Sequence, residues 1–316
     1  MKRLLPVTIF MLVLMVIGTS IAFASEIQDS ETDLVIGAQL YDKWYATLGI
    51  PAPQGDMPIW SRQSTNTRSG ADTWRCSECH GWDYKGVNGA YASGSHYTGF
   101  PSIILATADM TEEDIVAHLK GESDSAHDFS SYLDENAMGQ VATFLKEGLI
   151  DDSEFIDSIS LKVIDGKLEH GNELYDSTCA ECHGEDGTTI IFRTEGVDET
   201  LGDVANRDPF RFLHRTRFGV AGTEMPVGYD LGWTPADGRD VLMYTQTLTR
   251  GNAPEEITGA GEGSGPSELI GGATNLWTGI LTGIGAFLAT FGSALLFLTV
   301  LVLIGVVIVT ALRRRN

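Results

Sequence analysis

All four cysteines of the 316-residue chain fall in two copies of one pattern, Cys76-Ser77-Glu78-Cys79-His80 and Cys179-Ala180-Glu181-Cys182-His183. Two thiols three positions apart on one helical turn can bond covalently to the two vinyl groups of a single porphyrin. The histidine that follows then projects to the iron. The pattern therefore predicts two covalently bound c-type haems, attached through Cys76, Cys79, Cys179 and Cys182, with His80 and His183 as proximal ligands of the iron. A redox C-x-x-C would not need a histidine after it twice. A four-cysteine zinc site or a pair of disulfides would have to join pairs that lie 103 residues apart.

The second axial ligand has to be found by aligning the two copies. After His183, the run Gly222-Thr223-Glu224-Met225-Pro226 places Met225 in a loop, 6 residues beyond Gly219. A thioether is a soft ligand that suits haem iron. In the first copy Gly121 occupies the place of Gly219, and 6 residues on stands His127 rather than a methionine. His127 is thus the expected distal ligand of the first haem, with His96 and Met110 as alternatives. Met138 falls within a helix and reads as core. His118 and His214 lie on middle helices and read as surface or supporting residues, and His170 carries no signal.

Positioning these groups requires a helical module, and the chain repeats one. Gly37-Ala38-Gln39-Leu40-Tyr41-Asp42 recurs as Gly171-Asn172-Glu173-Leu174-Tyr175-Asp176 ahead of each cysteine motif. Thr111 followed by Glu112, Glu113 and Asp114 opens a middle helix running to Leu119, whose counterpart is Asp208 to Phe218. A last helix follows in each copy, 135–149 and 235–248. The expected organisation is domain one at 33–150, with an insertion at 43–75 packed over one face, and domain two at 165–250. The insertion carries Trp60 and Trp74.

Each copy, from its G-x-x-L-Y helix through C-x-x-C-H to the closing helix, resembles the class I cytochrome c family. Met225-Pro226 is similar to that family's distal loop, and Asp240-Val241-Leu242-Met243-Tyr244 to its closing helix. The resemblance implies an all-α fold of two tandem cytochrome c-like domains wrapped around haem, with an exposed edge used for electron transfer. The first copy departs from it by lacking Met-Pro and by carrying the insertion.

Both ends read as membrane signals. Met1-Lys2-Arg3, an apolar run and Ala22-Phe23-Ala24 form a secretory signal peptide over 1–24. No charge occurs between Glu268 and Arg313, and a transmembrane helix is expected over 280–312. Arg313, Arg314 and Arg315 place the C-terminus on the cytoplasmic side. The Gly- and Ser-rich stretch 251–275 reads as a flexible linker. The haem domains would then be tethered on the outer face of the cytoplasmic membrane.

The net charge of −22 argues against binding nucleic acid and points to redox protein partners with basic docking surfaces. With both irons six-coordinate and no substrate pocket legible, the expected role is an electron carrier between a membrane donor and an extracytoplasmic or terminal acceptor. The alternatives are a haem subunit of a membrane oxidoreductase complex and a dihaem peroxidase-type enzyme, which would need His127 to leave the iron.

Overall fold

The computed structural model describes residues 32–194 and 196–251, all within one compact unit. The expected signal peptide at 1–24, the expected span at 280–312 and the linker beyond Gly251 lie outside the described residues. Among the described residues, no helix is long and apolar enough to cross a membrane.

The described chain is mostly helical. The first half holds α1 (32–47), α2 (Cys76–His80), α3 (Ile103–Thr107), α4 (Glu112–Leu119) and α5 (Glu135–Thr143), the last continued by a wide turn over Phe144–Gly148. The second half holds α6 (Leu168–Thr178), α7 (Ala180–His183), α8 (Leu201–Arg207), α9 (Pro209–Phe218) and α10 (Pro235–Thr245). The purely helical expectation needs one correction. Phe192–Thr194 and Val197–Glu199 pair antiparallel as β1 and β2. Gly196, at φ +82°, supplies the left-handed turn position that the hairpin needs.

Local chemistry sets the helix starts. Thr111 caps α4 and Thr234 caps α10, each in a reciprocal capping box with an aspartate three residues on. Asp208 caps α9, and Pro209 and Pro235 open their helices where a missing N–H costs nothing. In α1, Leu34, Ala38, Tyr41 and Tyr45 are buried at helical spacing and turn one stripe inward.

The repeated glycine and tyrosine have the same role in both halves. A Cβ on Gly37 would lie 2.0 Å from the Gln140 carbonyl oxygen, and one on Gly171 would lie 1.9 Å from that of Asp240. The first and last helices of each half therefore cross backbone to backbone, which only glycine permits. One turn further along, the Tyr41 hydroxyl donates to the Gly81 carbonyl and the Tyr175 hydroxyl to the Gly184 carbonyl, both at 2.6 Å. Each bond ties the crossing pair to the residue that follows the motif histidine.

The two halves share a buried seam. Asp42 of α1 accepts from Arg75 at 2.7 Å and from Arg215 of α9 at 2.9 and 3.0 Å. Both guanidiniums hold its carboxyl well below the usual carboxylate range, against the opposing effect of burial. Both also lie over the Trp82 ring, at 5.7 and 5.1 Å. Gln39 donates across the seam to the Phe218 carbonyl at 2.9 Å.

Candidate functional site

In the first half, His80 closes α2 and Gly81 ends the helix at φ +77°. His80 Nδ1 donates to the Pro101 carbonyl at 3.0 Å, which leaves the lone pair on Nε2. His127 ends a tight turn, Ser125–His127, capped by Asp124. Arg62, from the 43–75 segment, pairs in turn with Asp124. This assembly places the His127 ring opposite that of His80, with centroids 6.4 Å apart and planes at 81°.

That separation can be tested against an iron between the rings. With metal–imidazole bonds of about 2 Å, two imidazoles on opposite sides of one metal have centroids roughly 6 Å apart. The two rings therefore fit a pair of axial ligands. Burial pushes the His80 pKa down to about 4 and lowers that of His127, so both imidazoles are neutral near pH 7, the form that ligates. The other residues considered are engaged elsewhere. His96 stacks on Tyr91 at 4.7 Å and meets Arg68 at 3.1 Å. Met110 is half-buried against the core, and Met138 is buried within α5.

In the second half, Cys179, Cys182, His183 and Met225 line one cavity of about 370 Å³. That volume lies within the range of small-molecule and cofactor sites. Its wall is largely apolar, with Phe192, Leu201, Val204, Phe212 and Trp233, and the hairpin contributes part of it. Arg211 adds positive charge suited to a carboxylate of a porphyrin, whereas Arg215 on the same wall is paired with Asp42. Arg211 Nε is buried without a hydrogen-bond partner, and its guanidinium meets Asp208 and Glu199 only at 3.4 and 3.5 Å. His183 Nδ1 is likewise buried and unpartnered, so this half lacks the counterpart of the His80–Pro101 bond.

None of the four cysteines is joined to another in a disulfide. Burial pushes Cys76 and Cys179 up to about 12 and raises Cys79 further. Among the described residues, no group of three or more His, Cys, Asp or Glu is placed to hold a bare metal ion. The donor set, two thiols with a histidine at each site, fits a covalently attached haem.

Of the two roles expected for His214, surface or supporting, the structure corrects the first. His214 is 1% exposed, at the centre of the seam. Its Nε2 donates to the Ala38 carbonyl at 3.0 Å, so Nδ1 accepts from the Tyr84 hydroxyl at 2.9 Å. His170, which showed no signal, meets Asp240 at 2.9 Å and ties α6 to α10. His118 supports through its backbone, its carbonyl lying 3.5 Å from His127 Nδ1. Pro101, Arg211 and Trp233 were not legible as site residues, because none stands at a fixed offset from a motif. The chain matches no protein-family model and no curated protein.

Proposed function

We propose that this chain is a dihaem c-type cytochrome that transfers electrons, built from two cytochrome c-like helical modules and tethered to the outer face of the cytoplasmic membrane by a single C-terminal helix. The facing of His80 and His127 at 6.4 Å carries the reading, because two histidines 47 residues apart meet at the spacing of an axial pair. Two further features support it: His183 and Met225 line one cavity with Cys179 and Cys182, and each half has the same glycine crossing and tyrosine tie.

Cys76, Cys79, Cys179 and Cys182 would hold the two haems as thioethers, with His80 and His127 as the side chains that would ligate the first iron and His183 and Met225 those that would ligate the second. Bound haem supplies reversible one-electron chemistry at iron. The chain's own residues do the rest. The Pro101 carbonyl fixes the His80 tautomer and orients its ring. Tyr41 and Tyr175 anchor the turns after the motif histidines. The apolar walls exclude water, and the Asp42–Arg75–Arg215 seam holds the two sites in one body.

The experiment is a pyridine haemochrome spectrum on the purified full chain, with in-gel haem staining after denaturation. Two covalent haems per chain are expected, and each Cys-to-Ala pair should remove one. A chain that matures without covalent haem overturns the proposal. Exposure of the reduced protein to carbon monoxide separates a carrier from a catalyst, because six-coordinate irons should bind it slowly or not at all.

A further inference from the structure

The two cysteine motifs differ sharply in how they are covered. In the first, Ser77, Glu78 and Cys79 are all buried. Arg68 of the 43–75 segment reaches Glu78 at 3.1 Å, Arg75 reaches it at 3.4 Å, and Thr98 donates to the Cys79 carbonyl. In the second, Glu181 and Cys182 are both exposed, and two residues stand between Asp176 and Cys179 where the first copy has the 43–75 segment. The mouth of the second cavity also carries exposed apolar side chains. Ile190 and Leu231 line it at 39% and 52% exposure, and Ile191 stands beside them at 50%. Grouped exposed aliphatics of this kind mark an interaction site.

The exposed charge around this mouth is mostly acidic, since the arginines of the cavity wall, Arg211 and Arg215, are only part-exposed and face Glu199 and Asp42. Glu224 lines the cavity, and Glu181 of α7, Glu185 and Asp186 just after it and Asp230 beside Leu231 are exposed near its lining residues in sequence. The exposed cation nearest in sequence, Arg193, is already paired with Asp198 at 3.2 Å. An apolar centre inside an acidic rim is complementary to a partner with an apolar centre and a lysine- or arginine-rich rim.

We infer that the chain exchanges electrons with its soluble partner through one port only, the mouth of the second cavity around Cys182, Ile190, Ile191 and Leu231, and that this partner is a basic one-electron redox protein. The inference rests on the dihaem reading. One electron leaves the second site and one reduces the partner, with no proton or group transferred. The first site, whose Ser77-Glu78-Cys79 stretch is buried with Arg68 of the 43–75 segment paired to Glu78, exchanges electrons only through the second.

The test uses the full chain in detergent with its haem content and spectrum already verified, so loss of the haem reading would register there and not in the kinetics. Reduced protein is mixed by stopped flow with oxidised basic mitochondrial cytochrome c, and with an acidic plastocyanin as the opposite probe. The basic probe should react faster at low ionic strength and slow as salt is added. Glu185→Lys with Asp230→Lys should slow it by about 10-fold and flatten the salt dependence, since steering of this kind is worth roughly 10-fold or more. Asp109→Lys with Glu113→Lys makes the same change in net charge on exposed acids of the first half and should leave the rate unchanged. Ile191→Ser should slow the reaction without altering its salt slope. Equal slowing by both charge reversals, a faster acidic probe, or a rate indifferent to Glu185, Asp230 and Ile191 overturns the inference.

Discussion

The Tyr41 hydroxyl lies 2.6 Å from the Gly81 carbonyl, and this bond links the helix crossing at Gly37 to the turn that aims His80. The crossing and the turn are therefore one mechanical unit, and damage at Gly37 is felt at the histidine. Gly37→Ala would set a methyl group 2.0 Å from a backbone oxygen, where no rotamer change relieves the clash. We expect a loss of at least about 3 kcal/mol, at the upper end of overpacking effects. Gly139→Ala, a helical position with nothing within 4 Å of the new Cβ, is the matched control and should be neutral or slightly stabilising. Thermal melts of the two variants distinguish these outcomes.

Asp42 sets the acid limit of the seam. Its folded pKa is depressed by Arg215 and Arg75, so its contribution is present above the unfolded value and is lost as pH falls through the folded one. Asp42→Ala removes the partner of two part-buried guanidiniums, leaves Arg75 with only its longer contacts to Glu78 and Asp72, and should cost about 3 kcal/mol. Asp42→Asn should retain part of the geometry while losing the acid-side slope of stability against pH. An unchanged acid melting profile in Asp42→Asn would remove this role.

Asp152 behaves in the opposite sense. It is 1% exposed, both carboxyl oxygens are buried without a hydrogen-bond partner, and burial raises its pKa well above the usual carboxylate range, with Asp83 adding to the effect. A raised folded pKa means that its contribution is fully present below the unfolded value, near ~4, and is lost as pH rises through the folded one. Asp152→Asn mimics the protonated form at every pH. Its thermal midpoint should match the parent at low pH and exceed it at pH 7 to 8. A variant less stable than the parent at pH 8 would show that the ionised carboxylate is used.

The amphipathic helices, their caps and the two attachment motifs were legible because they depend on local spacing. Thr111 and Asp114 form the capping box that their spacing predicts. A count of 6 residues from each middle-helix glycine leads to His127, whose ring centroid lies 6.4 Å from that of His80. The burial of His214 is not legible in sequence because its surroundings come from the other half of the chain, from Ala38 and Tyr84, and no pattern within α9 records them. The hairpin was missed because its strands have only three residues each, too short to show an alternation. Pro101 supplies only a backbone carbonyl, and carbonyls have no signature in sequence.

The proposed haems should be needed for the small modules to fold. Each half has a modest number of residues from which to build a core, and in the second a cavity of about 370 Å³ sits among the site residues. A variant with all four cysteines replaced by alanine, or the chain expressed without haem attachment, should be largely unfolded. Far-ultraviolet circular dichroism and protease resistance measure this. Native-like helicity and resistance in the thiol-free variant would show that the apolar helix stripes suffice alone.

The last prediction concerns the inequality of the two sites. Imidazole donates more electron density to iron than a thioether does, so the His80/His127 site should have the lower potential and the His183/Met225 site the higher. The hydrogen bond from His80 Nδ1 to the Pro101 carbonyl strengthens His80 as a donor, whereas His183 Nδ1 has no such partner, which pushes the two sites further apart. The cover of Arg68, Trp60 and Trp74 over the first half acts the other way, because a dry pocket disfavours the more positive ferric state. We expect ligation to outweigh burial, because the ligand change acts at the iron itself. A gap of about 59 mV is already a tenfold bias for a one-electron couple, so even a modest difference would send electrons from the first site to the second and on through its exposed mouth. An optical redox titration should resolve two waves. Met225→His should lower only the upper wave, His127→Met should raise only the lower one, and Pro101→Gly, which keeps the carbonyl but loosens its placement, should move the lower wave slightly upward. Coincident waves in the parent protein, or a lower wave unmoved by His127→Met, would remove both the assignment of His127 and the direction of flow.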